Sequence, residues 1–271
     1  MRRALTSVFL CVFFALPAES QPCTTVTASL DNGNNSTGWT FGGPSQSQPL
    51  TGGNPGGYVR TDFLDTFAPQ PHCANNATMF TGDYWSRSVS KIGVDLQTFR
   101  VDFGAGGRPL SVLLMCDNGT PADSSDDYAA YYIGIENVPI PGEGWKRFEF
   151  AVPSRSASTP PGWDYIQFGP NAPSNPDWQD VLRNVTQLRF FYGNPTFFFI
   201  FQTWDLGIDN PMIRWCDADA NSDGITNFAD LNIVLSEFGQ NSPLSGVYLR
   251  GDVNNDGVVN FADLNIILSA Y

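Results

Sequence analysis

The chain has 271 residues and is strongly acidic, with 27 Asp and Glu against 14 Lys and Arg and a formal net charge of −13. Nothing in such a balance neutralises phosphates, which excludes nucleic acid as a partner. Abundant aromatic residues and frequent Gly and Pro read as a mainly β chain with many turns.

Residues 1–20 have the form of a secretory signal. Arg2 and Arg3 supply the charged start, residues 4–16 the apolar run, and Ala18-Glu19-Ser20 a small-residue cleavage site before Gln21. The run is too short to span a bilayer, and no later stretch is long enough. Cys11 would leave with the signal, so Cys23, Cys73, Cys116 and Cys216 enter an oxidising compartment, where three pairings are open to them. Cys23 and Cys216 bracket the segment between them. If its first and last strands are neighbours, these two pair and leave Cys73 with Cys116.

Short β-like runs fill residues 24–215. The pattern predicts strands near 57–61, 94–103, 110–116, 128–135, 145–152, 188–192 and 197–204, and one short helix over 177–184. With no βαβ rhythm, the expected fold is an antiparallel, jelly-roll-like β-sandwich over residues 21–216. Seven tryptophans could stack on sugar rings. Trp145 and Trp204 lie in strand-like runs and are expected in the core. Trp85 and Trp163 lie beside polar or Pro/Gly-rich loops and are the candidate ligand-binding platforms.

Catalytic signals are weak. A nucleophilic triad would have to use His72, the sole histidine, in a Pro-His-Cys loop. Paired carboxylates for glycoside hydrolysis could come from Asp126, Asp127, Glu136, Glu143 and Glu149, but no pairing stands out. The acidic loop 117–127 could hold a further cation, but reads first as a disordered or plainly exposed loop. Sequons at Asn34, Asn35, Asn76, Asn118 and Asn184 matter only in a host that glycosylates them.

The most specific signal is a repeat at the end. Residues 219–230 read DANSDGITNFAD and residues 252–263 read DVNNDGVVNFAD, in register 33 residues apart. Each places oxygen donors at positions 1, 3, 5, 7, 9 and 12 with Gly at 6, the calcium-loop pattern of an EF-hand. The first ligand set is Asp219, Asn221, Asp223, the Ile225 carbonyl, Asn227 and Asp230. The second is Asp252, Asn254, Asp256, the Val258 carbonyl, Asn260 and Asp263. Two calcium ions are expected; without His or Cys, neither loop suits zinc or copper. Gly224 and Gly257 sit where the backbone must take positive φ. A helix should follow each loop, N-capped by Asn227 and Asn260.

This pair of loop-helix repeats, over residues 217–271, resembles the type I dockerin. The resemblance implies an extracellular, bacterial setting, a cohesin-like scaffold as partner and a role in polysaccharide breakdown. It departs at loop positions 10 and 11, where a small polar pair touches cohesin in well-known dockerins and where Phe228-Ala229 and Phe261-Ala262 stand here. The first domain resembles laminin-B-type and carbohydrate-binding sandwiches through Gly52-Gly53-Asn54-Pro55-Gly56-Gly57-Tyr58, Phe80-Thr81-Gly82-Asp83-Tyr84 and Gly207-Ile208-Asp209-Asn210. The resemblance implies that fold and a tendency to bind polysaccharide. The resulting expectation is a secreted, non-catalytic accessory protein. The alternatives are a glycoside hydrolase and an adhesive surface protein.

Overall fold

The computed structural model describes residues 23–242 and 248–270. The predicted signal segment and Tyr271, placed on the apolar face of the last helix, lie outside the described residues.

Two antiparallel sheets face each other. The first holds β1 (Thr24–Thr27), β2 (Gln46–Ser47), β3 (Val59–Thr66), β4 (Val89–Val101), β7 (Lys146–Ala151) and β10 (Gln202–Trp215). Its order is β2-β3-β10-β4-β7, with β1 beside the second half of β10. The second holds β5 (Pro109–Cys116), β6 (Tyr128–Asn137), β8 (Trp163–Gln167) and β9 (Gln187–Tyr192) in the order β8-β6-β5-β9. Strand β9 shows the period-2 logic: Leu188, Phe190 and Tyr192 are buried while the residues between them are not. Phe150 of β7 meets Phe190 across the sheets at 6.0 Å, and Trp39 stacks on Phe190 at 5.8 Å. Each such ring removed from water contributes about 1.5–3 kcal/mol.

The β-sandwich expectation holds, with two local corrections. The predicted strand at 197–204 begins only at Gln202 and instead runs on to Trp215. Phe197, Phe198, Ile200 and Phe201 form an exposed loop, because an apolar run without a partner strand has no ladder to join. Strands β1, β2 and β8 are not among the predicted runs; they are only four, two and five residues long. Helix α1 (Trp178–Arg183) forms within the predicted bounds, and the Asp177 side chain caps it by accepting from the Gln179 N–H.

Helices α2 (Phe228–Glu237) and α3 (Phe261–Ser269) follow the two repeats, each opened by a complete capping box from Asn227 with Asp230 and from Asn260 with Asp263. Gly239, at φ +80°, lies just past α2, as expected of a helix stop. The helices share a small apolar cluster of their own, including Ala220, Val234, Leu249, Val259 and Ile267.

Candidate functional site

The two repeats fold alike, bond for bond. The Asp219 carboxylate accepts from the N–H groups of Asp223 and Gly224 at 3.1 and 2.7 Å. Asp252 does the same with Asp256 and Gly257 at 3.1 and 2.9 Å. Asp230 reaches back to the N–H of Asn221 and Asn227, and Asp263 to those of Asn254 and Asn260. Asn221 and Asn254 bridge to the third acid, Asp223 or Asp256, in the same way. Asn227 and Asn260 donate to the carbonyls of Ile225 and Val258. Gly224 and Gly257 take φ of +91° and +90°, and position 4 is also left-handed, at Ser222 and Asn255. The segment that follows α2 is tied to the second loop, where the backbones of Gly239, Gln240 and Ser242 pair with Val259 and Gly257.

The carboxylates of Asp219, Asp230 and Asp263 are fully buried, and Asp252 nearly so. Among the described residues, none of the four is in an ion pair. Burial pushes Asp219 up to about 7, with repulsion from Asp230 and Asp223 adding to it. Burial also raises Asp230 and Asp252. Among the described residues, no three His, Cys, Asp or Glu side chains gather closely enough to hold a metal by themselves. In each loop only three of the six expected donors are acidic; the rest are amide and peptide oxygens, and all six are hard oxygen donors of the kind calcium takes.

The loops rest on the sandwich. Arg155, in the connection after β7, is completely buried between them and Trp85. Its Nε donates to the Trp85 carbonyl at 3.2 Å, its Nη1 to the carbonyls of Arg250 and Asp252 at 2.9 and 3.1 Å, and its Nη2 to Asn255 Oδ1 at 3.4 Å. Burial lowers the guanidinium to about 10, and Asp252 and Asp219 oppose that shift. Nothing in the sequence marks Arg155, which sits in an ordinary Ser-Arg-Ser turn.

Both tryptophan platforms are corrections. Trp85 is 1% exposed, covered by Arg155 and by Tyr248, whose ring lies at 5.7 Å. Trp163 is 7% exposed and packs edge-on against Trp178 at 5.0 Å. Loop context suggested exposure; the C-terminal loops and α1 cover these rings. Trp145, expected in the core, is instead half-buried on the outer face of the first sheet. Its Nε1 donates to the Gly52 carbonyl at 2.8 Å, and it forms an aromatic tray with Tyr58 and Phe99. Gly207 is the floor of the tray: a Cβ there would stand 2.7 Å from the Trp145 ring.

A second concavity opens between β6, β7 and β8, with a volume of about 390 Å³. Tyr132, Phe150 and the edge of Trp163 line it, with Glu136, Glu149 and Pro160 at its rim. Both carboxylates are ion-paired, Glu149 to Lys91 at 2.9 Å and Glu136 to Lys146 at 3.2 Å. The Lys91 hydrogen bond holds Glu149 below the usual range, the wrong direction for a general acid. The remaining catalytic candidates are local: Asp126 accepts from Thr120 and Asn118, Glu143 caps the Ile140 N–H, and His72 Nδ1 meets the Gln70 carbonyl at 2.8 Å.

The Cys23–Cys216 disulfide is formed and joins residues 193 apart in sequence. Strand β1 pairs with the end of β10, so the two ends of the sandwich are neighbours as the pairing required. Cys73 and Cys116 are free and buried, which corrects their predicted bond. Residues 69–73 run along one edge of β9 while β5, which carries Cys116, runs along the other. Two strand spacings, about 9–10 Å, separate the segments, beyond the roughly 7 Å reach of a disulfide. Burial pushes the Cys73 thiol up to about 11.

A scan of protein-family models gives no match, and a search of curated proteins gives none either. Among solved structures, an exo-β-agarase matches at 11% identity and a TM-score of 0.37, over 69% of this chain; the chain spans only 24% of that protein. The L4b domain of human laminin α-2 matches at 14% identity and 0.31, over 78% of this chain and 100% of that domain. SGBP-B from a xyloglucan utilization locus of Bacteroides uniformis matches at 10% identity and 0.28, over 66% and 47%. All three are loose superpositions. Among the described residues, no helix is long and apolar enough to cross a membrane.

Proposed function

We propose that this is a secreted, calcium-binding accessory protein whose β-sandwich recognises polysaccharide and whose dockerin-like C-terminal loops attach it to an extracellular partner. What supports the reading is the duplicated loop: two copies of one hydrogen-bond network, each carrying three aspartates that, among the described residues, form no ion pair. Asp219, Asn221, Asp223, Ile225, Asn227 and Asp230 would hold one ion, and Asp252, Asn254, Asp256, Val258, Asn260 and Asp263 the other. Calcium there supplies the positive charge that the buried carboxylates lack. The partner is an extracellular scaffold, and Phe228 and Phe261, both exposed, give its contact an apolar character that a small polar pair would not. The half-buried Trp145 ring, set edge-on against Tyr58 and Phe99, supports saccharide recognition, since an indole of this kind stacks on a sugar face. Ion pairing of Glu149 favours binding over hydrolysis.

Calorimetric titration of the full chain with calcium, after chelation, tests the reading. Two ions per chain are expected, and no binding heat overturns it. A screen of soluble polysaccharides against the calcium-loaded protein tests the sandwich, with Trp145→Ala expected to weaken whatever binds.

A further inference from the structure

Position 4 of each loop points at the same residue. In the first loop the Ser222 hydroxyl accepts from the Arg155 N–H at 3.1 Å and meets Ser154 Oγ at 3.1 Å. In the second loop the Asn255 amide oxygen accepts from Arg155 Nη2 at 3.4 Å, and its nitrogen donates to the Ser86 carbonyl at 3.3 Å. Both residues hold left-handed backbone, at φ +57° and +58°. Each stands between the second and third expected ligands of its loop. Arg155 Nη1 also grips the carbonyl of Asp252, which opens the second ligand set. One buried residue of the sandwich therefore touches equivalent points of both loops, one through its backbone and the other through its fork.

We propose that Arg155 is a positioning residue that couples the two calcium loops to each other and to the β-sandwich, so that the three respond to calcium as one unit. The inference rests on the calcium reading above. A guanidinium suits the task because its rigid fork spans several acceptors at once, which a Lys ammonium cannot reproduce. Burying the charge is costly unless every donor is satisfied, and here Nε, Nη1 and Nη2 all have partners. A loop that tightens on an ion moves its position 4, and that movement reaches the other loop through Arg155. It also reaches Trp85, whose carbonyl holds the same guanidinium.

The test is a double-mutant cycle on the full chain. Asp252→Ala with Asp263→Ala disables the second loop, and calcium affinity at the first is then read by calorimetry. With Arg155 present, that affinity should fall by about 5–150-fold, the usual span of coupling between sites. With Arg155→Lys in the background, disabling the second loop should change first-loop affinity less than threefold. An unchanged first-loop affinity in the Arg155 protein overturns the coupling while leaving calcium binding intact. Absence of binding in the wild type overturns both. A second measurement needs no variant. Melting followed by near-ultraviolet circular dichroism, which reports the sandwich aromatics, should shift upward by about 8 °C or more in calcium at a thousand times its dissociation constant. Two bound ions with an unshifted sandwich transition likewise overturn the coupling.

Discussion

Arg155 and Asp252 meet at the seam of the molecule, where the guanidinium Nη1 donates to the Asp252 carbonyl at 3.1 Å. The bond uses the backbone oxygen and leaves the carboxylate to the loop amides of Asp256 and Gly257. Arg155 therefore fixes where the second loop begins without neutralising the acid that opens it.

Asp219→Ala with Asp230→Ala should leave one calcium site, as should Asp252→Ala with Asp263→Ala. Calorimetric stoichiometry should fall from two to one in each double variant. Saturating calcium at a thousand times its dissociation constant should stabilise each loop by roughly 4 kcal/mol. Magnesium should substitute poorly, because it demands near-ideal octahedral geometry and gives up its waters reluctantly, whereas calcium tolerates irregular sets of oxygens.

Cys23→Ser with Cys216→Ser should cost about 2–5 kcal/mol, measured by denaturant unfolding, because it frees a very long loop in the unfolded chain. Under native, non-reducing conditions Cys73 and Cys116 should resist alkylation, since both are buried and burial disfavours their thiolates. Rapid labelling of either thiol without unfolding would contradict this arrangement.

Trp85→Ala should cost roughly 3–5 kcal/mol through the cavity it leaves, and the loss should appear in thermal melting. Trp145→Ala should cost far less, because the ring is only half-buried. Its effect should fall on saccharide retention in affinity electrophoresis. Gly207→Ala should mimic it, because the added methyl would push the Trp145 ring off its floor.

Asp209 gives a pH signature. It is 1% exposed in β10, the central strand of the first sheet, accepts from the N–H groups of Asn54 and Asn210, and is pushed up to about 6 by burial, with Asp95 and Asp31 adding repulsion. A carboxyl raised on folding binds its proton more tightly in the native state. Its contribution is full below the unfolded value near 4 and is lost as pH rises through 6. Relative to Asp209→Asn, the wild type should lose at most about 3 kcal/mol between pH 4 and pH 7. Equal pH slopes for the two proteins, by urea unfolding, would contradict the assignment.

What was legible in the sequence is what is local. The positive-φ glycines and the capping boxes of the two repeats are set by residues within twelve positions of one another, and they take the backbone that their spacing dictates. The alternation of Leu188, Phe190 and Tyr192 is likewise readable because a strand shows its inward face every second residue. Most of the failures are questions of neighbourhood. Cys73 and Cys116 cannot pair because β9 lies between them, and no spacing reveals an intervening strand. Trp85 looked like a surface residue because its cover, Tyr248 and Arg155, comes from far along the chain. Trp145 reads as core because it heads a strand-like run, yet the period of that run already puts it with Arg147 and Glu149, opposite the buried Phe148 and Phe150.

The Cys23–Cys216 bond changes the mechanics of attachment. If the C-terminal loops are held by a partner and the other end of residue 23 is pulled, the tension follows the covalent shortcut. It crosses one sulfur–sulfur bond and a few residues to Asp219, bypassing the 193-residue span that forms the sandwich. The sheets are thus hung beside the line of force rather than placed in series with it. Drag on a bound polymer would load the sandwich through its own surface, while a pull along the tether would leave its strands unstretched.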